Sequence, residues 1–120
     1  LASEDSVRRV NTAYDRLKEA TADGTLPMAY VFAKNGENTL LSRFFFNKAN
    51  VIFEDPATGS ATANLGSWYL ANQTALPLSV NISQGEMTGR PSTLRMRIDE
   101  ERNVFVAGEA VELGRGWVEW

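Results

Sequence analysis

The run Phe53-Glu54-Asp55-Pro56-Ala57-Thr58-Gly59-Ser60-Ala61 carries the densest chemistry in the chain. Two adjacent carboxylates stand just ahead of a stretch of helical composition that extends to Gln73. Gly59 has no side chain to keep a ligand off the backbone, and the free N–H groups that follow it, with the helix dipole behind them, form a site for an anion. Thr58 and Ser60 add hydroxyls that can donate to a carboxylate or polarise a bound group. Asp followed by Pro is equally a frequent way to begin a helix, with Asp55 as cap and Pro56 at the first helical position. The residues by themselves leave both readings open. A phosphate loop fits less well, because the Lys that completes one is absent.

The elements that must position this run can be read from the rest of the chain. Pro56 through Gly85 contains no Asp, Glu, Lys or Arg, in a protein that is 22% charged. A helix over Ser60–Gln73 has no charged face and is expected to present none to bulk water. The small residues Ala63, Gly66 and Ser67 let a sheet approach it closely. Asn64, Asn72 and Gln73 and its short length argue against a membrane span. Strands are predicted at Met28–Ala33 and Thr39–Phe46, joined by a hairpin turn at Lys34–Asn38. Leu78–Ser83, Thr93–Asp99 and Val104–Val111 complete the set, with a turn at Glu100–Asn103 and one-sided alternation that marks antiparallel strands. Ahead of them, Ser3 caps a helix whose stripe is Val7, Val10, Tyr14 and Leu17 and whose end falls at Asp23-Gly24. The tail Gly114–Trp120 is aromatic enough to be packed down.

Composition narrows the function classes. The chain has 120 residues, one domain's worth, and a net charge of −3, which disfavours nucleic-acid and anionic-membrane surfaces. With no Cys and no His, disulfides, thiolate chemistry, imidazole triads and the usual zinc sites are excluded. No metal site built on thiolate or imidazole is expected, and a cytoplasmic location is the default. Trp68, Trp117 and Trp120 suit core or domain contacts better than a stacking platform, since no basic groove accompanies them. Gln84-Gly85 and Gly89-Arg90-Pro91-Ser92 could line a cleft, but Gly85 and Gly89 read more simply as turn residues.

The run EDPATGSA, followed by NLGSWYL, QGEMTGRPS and VFVAGEAVELGRGWVEW, resembles the C-terminal half of phenazine-biosynthesis PhzF-like proteins, which share the diaminopimelate epimerase-like fold. The resemblance covers about Arg43 to Trp120 in consistent order. It implies an α+β domain, a curled, mostly antiparallel sheet wrapped around a central buried helix. It further implies a cofactor-independent isomerase in which a small carboxylate substrate lies between two such halves, with both helix N-termini aimed at it. The family's proton-transferring Glu belongs to the N-terminal half. Carried over to this sequence, the catalytic helpers are Asp55 and Ser60, and Thr58, Gly59, Ser60 and Ala61 bind substrate.

Residues 1–120 are thus expected to form one domain, the C-terminal part of a longer two-domain enzyme. The start at Leu1 rather than Met fits that reading, and the isolated chain would be inactive without the N-terminal base. The expected partners are the small carboxylate substrate, the missing N-terminal half and a second copy of the chain, as a dimer or other homo-oligomer. A non-catalytic binding or self-assembly module of the same fold is the alternative.

Overall fold

The computed structural model describes residues 1–21 and 26–119. Its first element is the short helix α1, Glu4–Arg8, capped as the sequence predicts: the Ser6 N–H donates to Ser3 Oγ at 3.1 Å. The single long helix expected from the Val7–Leu17 stripe is broken in two. The chain leaves helical geometry after Arg8 and resumes as α2, Tyr14–Ala20. A tertiary contact explains the break. Arg43 Nη1 donates to the carbonyls of Val7, Arg8 and Val10 at 3.1, 3.0 and 2.8 Å, groups that a continuous helix would have bonded four residues on. Val7 and Leu17 are still both buried. The predicted helix end at Asp23-Gly24 lies outside the described residues.

Strands β1 (Met28–Lys34) and β2 (Thr39–Lys48) form the expected antiparallel hairpin, in register from Met28 opposite Phe46 to Lys34 opposite Leu40. Beyond it β2 turns tightly on Ala49 and Asn50, with φ of 51° and 62°, into β3 (Val51–Asp55), a strand the sequence pattern did not reveal. Two successive positive φ values are the mark of the type I′ hairpin turn, which Asn-Gly suits and alanine does not. The double substitution Ala49→Asn/Asn50→Gly should therefore raise stability by about 1 kcal/mol, the usual cost of a left-handed alanine. The urea midpoint measures it; an unchanged midpoint would show that the turn carries no strain.

The helix α3 (Gly59–Ala71) follows, then β4 (Leu78–Gln84), a 3₁₀ turn at Glu86–Thr88, β5 (Ser92–Ile98) and β6 (Val104–Gly108). The six strands make one sheet in the order β1-β2-β4-β5-β6, with β3 pairing β2 off that path. All pairings are antiparallel except β2 with β4, where Thr39–Leu41 lie parallel to Asn81–Ser83. Since β1 occupies one edge of β2, β4 and β3 must share the other, β4 on its first residues and β3 on Phe44–Lys48. The sheet forks between them, at Ser42-Arg43.

One face of the sheet carries the main core: Leu40, Val80, Ile82, Leu94, Met96 and Ile98, with Leu65 and Tyr69 of α3. Burial raises the Tyr69 phenol above its ordinary pKa. The other face packs Val7 of α1 on Ala33 and Leu41. Gly66 sets how closely α3 approaches, because a Cβ there would lie 2.6 Å from Val104 Cγ1 and 3.3 Å from Met96 Sδ. The architecture is the expected α+β one, with a mostly antiparallel sheet. The expectation that α3 has no face toward water holds for only half of it. Ala61, Thr62, Leu65, Gly66 and Tyr69 are buried, while Asn64, Ser67 and Ala71 are exposed and Trp68 is 48% exposed. Uncharged residues on an open face replaced the charges whose absence was read as enclosure.

The β5–β6 turn lies where the sequence places it. There desolvation is the largest single influence on the Asp99 carboxyl and pushes it up. Hydrogen bonds from the backbone and side chain of Asn103, joined by the Glu101 backbone and the Arg97 charge, together hold it below its usual range. The tail departs from expectation. Strand β6 ends at Gly108, so Ala110 and Val111 lie outside it, and residues 109–119 run without regular structure. Leu113 is 96% and Trp117 100% exposed. Among the described residues their apolar side chains meet no surface to pack against, and Trp120 lies outside those residues.

Candidate active site

Strand β3 delivers two neighbouring carboxylates to opposite faces, as the period of two in a strand requires. Glu54 takes the fork of Arg43, with Nε at 3.0 Å from Oε1 and Nη2 at 2.8 Å from Oε2. Both side chains are nearly buried, 11% and 13% exposed. Glu54 is thus held in a bidentate ion pair that also collects the end of α1, and it is not free to act on a ligand. Asp55 turns the other way, toward the mouth of α3, where its Oδ2 accepts the Thr58 hydroxyl at 2.6 Å.

The two readings of Asp55-Pro56 are separated by where the helix begins. Thr58, not Asp55, is the N-cap, and Gly59, not Pro56, is the first helical residue. Pro56 and Ala57 form a short connection that turns the chain from β3 into α3. The Thr58 side chain does not cap the helix, because its hydroxyl is spent on Asp55. Helical bonding begins with Thr62, whose N–H donates to the Thr58 carbonyl at 3.1 Å. The N–H groups of Gly59, Ser60 and Ala61 are the orphan donors of the first turn. Gly59 and Ser60 are exposed, and the nearest atom to a Cβ added at Gly59 is Val106 Cγ1 at 4.0 Å. The tip of the helix is open, next to a carboxylate.

The connection is held from beneath by the end of β4. Gln84 is 1% exposed; its Nε2 donates to the Asp55 carbonyl at 2.7 Å and to Thr58 Oγ1 at 3.0 Å. Its Oε1 receives two longer contacts of 3.5 Å, from the Thr58 N–H and the Ser42 hydroxyl. Ser42, at the fork of the sheet, is fully buried and accepts the Tyr30 hydroxyl at 3.2 Å. Gly85 follows with φ of 84°, and a Cβ on it would lie 2.7 Å from the Pro56 carbonyl oxygen and 2.3 Å from that of Arg90. Gly85 and Gly89 both take left-handed conformations, so they are turn residues, and Arg90 is exposed beside them.

Two recesses flank the first turn. One, of about 310 Å³, is an apolar groove between α3 and the β1–β2 hairpin, lined by Tyr30, Phe32, Phe44, Ala61, Leu65 and Trp68 among others. The second, of about 300 Å³, lies between Ala57, the start of β5 and Gly108-Glu109. Asp55 and Ser60 line neither; they stand at the helix tip between them. Among the described residues, no three His, Cys, Asp or Glu side chains cluster as metal ligands, and no helix is long and apolar enough to cross a membrane.

The structure therefore brings Asp55, Thr58, Gly59, Ser60 and Ala61 to one place, as the motif predicts. Sequence reasoning missed Ser42 and Arg43, and it raised Gln84 only as a residue that could line a cleft, not as a buried partner of Asp55 and Thr58. A signal for Gln84 existed: Val80, Ile82 and Gln84 share one face of β4, and a lone amide on an apolar face asks for buried partners.

Residues 1–116 match the phenazine biosynthesis-like proteins, and the chain belongs to that family. Within the curated proteins, 80 residues are 39% identical to an uncharacterized isomerase of Pasteurella multocida (strain Pm70), over 67% of this chain. The match takes in only 27% of that relative's length.

Proposed function

We propose that this chain supplies one wall of the active site of a cofactor-independent isomerase that moves a proton at a carbon next to a carboxylate. Membership of the phenazine biosynthesis-like family and the relative named as an isomerase support the reaction class. The observation that carries the site is the uncapped first turn of α3, open at Gly59-Ser60, with the Asp55 carboxylate at its mouth.

The substrate carboxylate docks on the N–H groups of Gly59, Ser60 and Ala61, assisted by the Ser60 hydroxyl and the positive end of the helix. When a C–H proton leaves the neighbouring carbon, negative charge flows into that carboxylate, and the same donors stabilise it. Asp55 accepts a hydrogen bond from the substrate or assists proton movement. The proton is taken by a base outside this chain, a Glu of the missing N-terminal half, and is returned to carbon on another face or position. Nothing else is consumed. Racemisation, epimerisation and double-bond migration all obey this balance. The working protein is cytoplasmic and assembles from both halves, with a second copy completing a homo-oligomer.

Deuterium uptake from solvent into trial amino or hydroxy acids, measured on the longer protein, tests this reading. Ser60→Ala should slow exchange about 100-fold, the usual cost of one oxyanion donor, and Asp55→Ala with Ser60→Ala should abolish it. Uptake untouched by the double substitution rejects the assignment.

The exposed apolar tail, Val111, Leu113, Trp117 and Val118, favours a second reading in which the domain is a non-catalytic assembly module. Sedimentation decides its merit: a strictly monomeric chain over a wide concentration range removes it.

A further inference from the structure

We propose that Gln84 is a positioning residue for Asp55, directing the Thr58 hydroxyl proton onto one carboxylate oxygen so that the other is presented to a ligand. The inference rests on the reading of Asp55 as a functional group, but its geometry is independent of what binds.

The orientation of the Gln84 amide is fixed by its partners. Nε2 lies 2.7 Å from the Asp55 carbonyl oxygen, which can only accept; turning the amide over would set oxygen against oxygen. The second Nε2 proton then meets Thr58 Oγ1 at 3.0 Å, so the hydroxyl is an acceptor toward Gln84. A threonine hydroxyl has one proton, and with Gln84 donating to it that proton goes to Asp55 Oδ2, 2.6 Å away. The direction of every bond is set in series from Gln84 to Thr58 to Asp55. Because Gln84 is 1% exposed and Thr58 7%, water cannot readily substitute for a lost member. A buried amide that holds both the backbone carbonyl and, through Thr58, the side chain of one residue restrains that residue in two places.

The scaffold is built for this restraint. Gln84 is the last residue of β4, at the point where β3 takes over from β4 along the edge of β2, and its side chain reaches from Ser42 of β2 to the Asp55 carbonyl at the end of β3. The next residue, Gly85, touches the Pro56 backbone as closely as the absence of a side chain permits. The connection between β3 and α3 is thereby seated on the end of β4, and Gln84 supplies the polar half of the seat.

Nuclear magnetic resonance on the 120-residue chain tests the proposal. In the wild type, Asp55 should show the Hα–Hβ couplings of a single χ1 rotamer, and the Gln84 side-chain amide protons should exchange slowly. Gln84→Met, which keeps the volume, and Gln84→Glu, which keeps the shape but removes the donor, should each give averaged Asp55 couplings. Thr58→Val should do the same, whereas Thr58→Ser, which keeps the hydroxyl, should restore the single rotamer. A merely structural role for Gln84 predicts lower melting temperatures with the Asp55 rotamer unchanged, and that result overturns the proposal. Should the Gln84 variants fail to fold, the wild-type measurements decide: rapid exchange of the Gln84 amide protons or an averaged Asp55 overturns it. Acetate titrated against the Gly59, Ser60 and Ala61 amide signals reports separately on binding. If acetate moves none of them while the rotamer responses hold, the functional reading falls and the positioning role stands.

Discussion

Gly85→Ala is expected to lower the unfolding free energy by about 3–4 kcal/mol, roughly 1–2 for an alanine in left-handed geometry and the remainder for crowding. The crowding is specific. A Cβ at Gly85 would lie 2.7 Å from the Pro56 oxygen and 2.3 Å from that of Arg90, and both obstacles are backbone. The nearby Gly89 provides the control. It too is left-handed, at φ of 70°, but nothing lies within 4 Å of a Cβ added there. Gly89→Ala should therefore cost only the conformational part, about 1–2 kcal/mol. Urea unfolding of the two variants measures the difference, and equal losses would show that contact between Gly85 and the Pro56 connection contributes nothing. Because that connection carries Asp55 and Thr58 to the helix mouth, Gly85→Ala should also weaken carboxylate binding there, while Gly89→Ala leaves it intact.

Arg43→Met should cost about 3–5 kcal/mol, the range for breaking a buried ion pair from one side. Glu54, 13% exposed, would be left without its guanidinium, and the carbonyls of Val7, Arg8 and Val10 would lose their shared donor. The second effect has its own signature: amide hydrogen exchange should accelerate in α1, on the opposite face of the sheet from α3. Removing the stranded charge as well, in Arg43→Met/Glu54→Leu, should recover a good part of the loss, since well-packed apolar replacements of buried ion pairs are often neutral. A double variant no more stable than Arg43→Met would mean that the carbonyl contacts, rather than the carboxylate, dominate. Melting curves of the three proteins settle the comparison.

How much of this could be read from the residues depends on the range of the interactions involved. The hairpin of β1 and β2 and the alternation of β4 to β6 are local patterns, and they were legible. So was α3, from its composition, and the clustering of Asp55 with Thr58, Gly59 and Ser60, which are neighbours in sequence. Strand β3 was not legible, because Val51–Asp55 is half polar and pairs only at the end of a long β2. The break between α1 and α2 was hidden for a different reason: the helical stripe is intact in sequence, and the group that interrupts it, Arg43, comes from another strand. Of the two readings left open for Asp55-Pro56, the helix cap fails because a hydroxyl three residues on takes the carboxylate and draws it out of the capping position. The tail failed as a prediction because aromatic content says that a surface wants covering, not that the chain itself supplies the cover.

The forked strand β2 imposes a rule on how this sequence can change length. Ser42 and Arg43 are adjacent, yet one reaches toward Gln84 and the other toward Glu54, on opposite sides of the sheet. Deleting Ser42 would exchange the two sides for everything downstream, sending the guanidinium toward the helix and Phe44 into its place. The stretch Gly36-Glu37, at the far end of the same hairpin, carries no such alternation and should tolerate changes in length better, whereas Asn35 and Asn38 on either side are tied by backbone hydrogen bonds to Thr39 and Asn81. Indels in this protein are thus confined to its rim, and the centre of β2 behaves as a fixed reading frame for both of its faces.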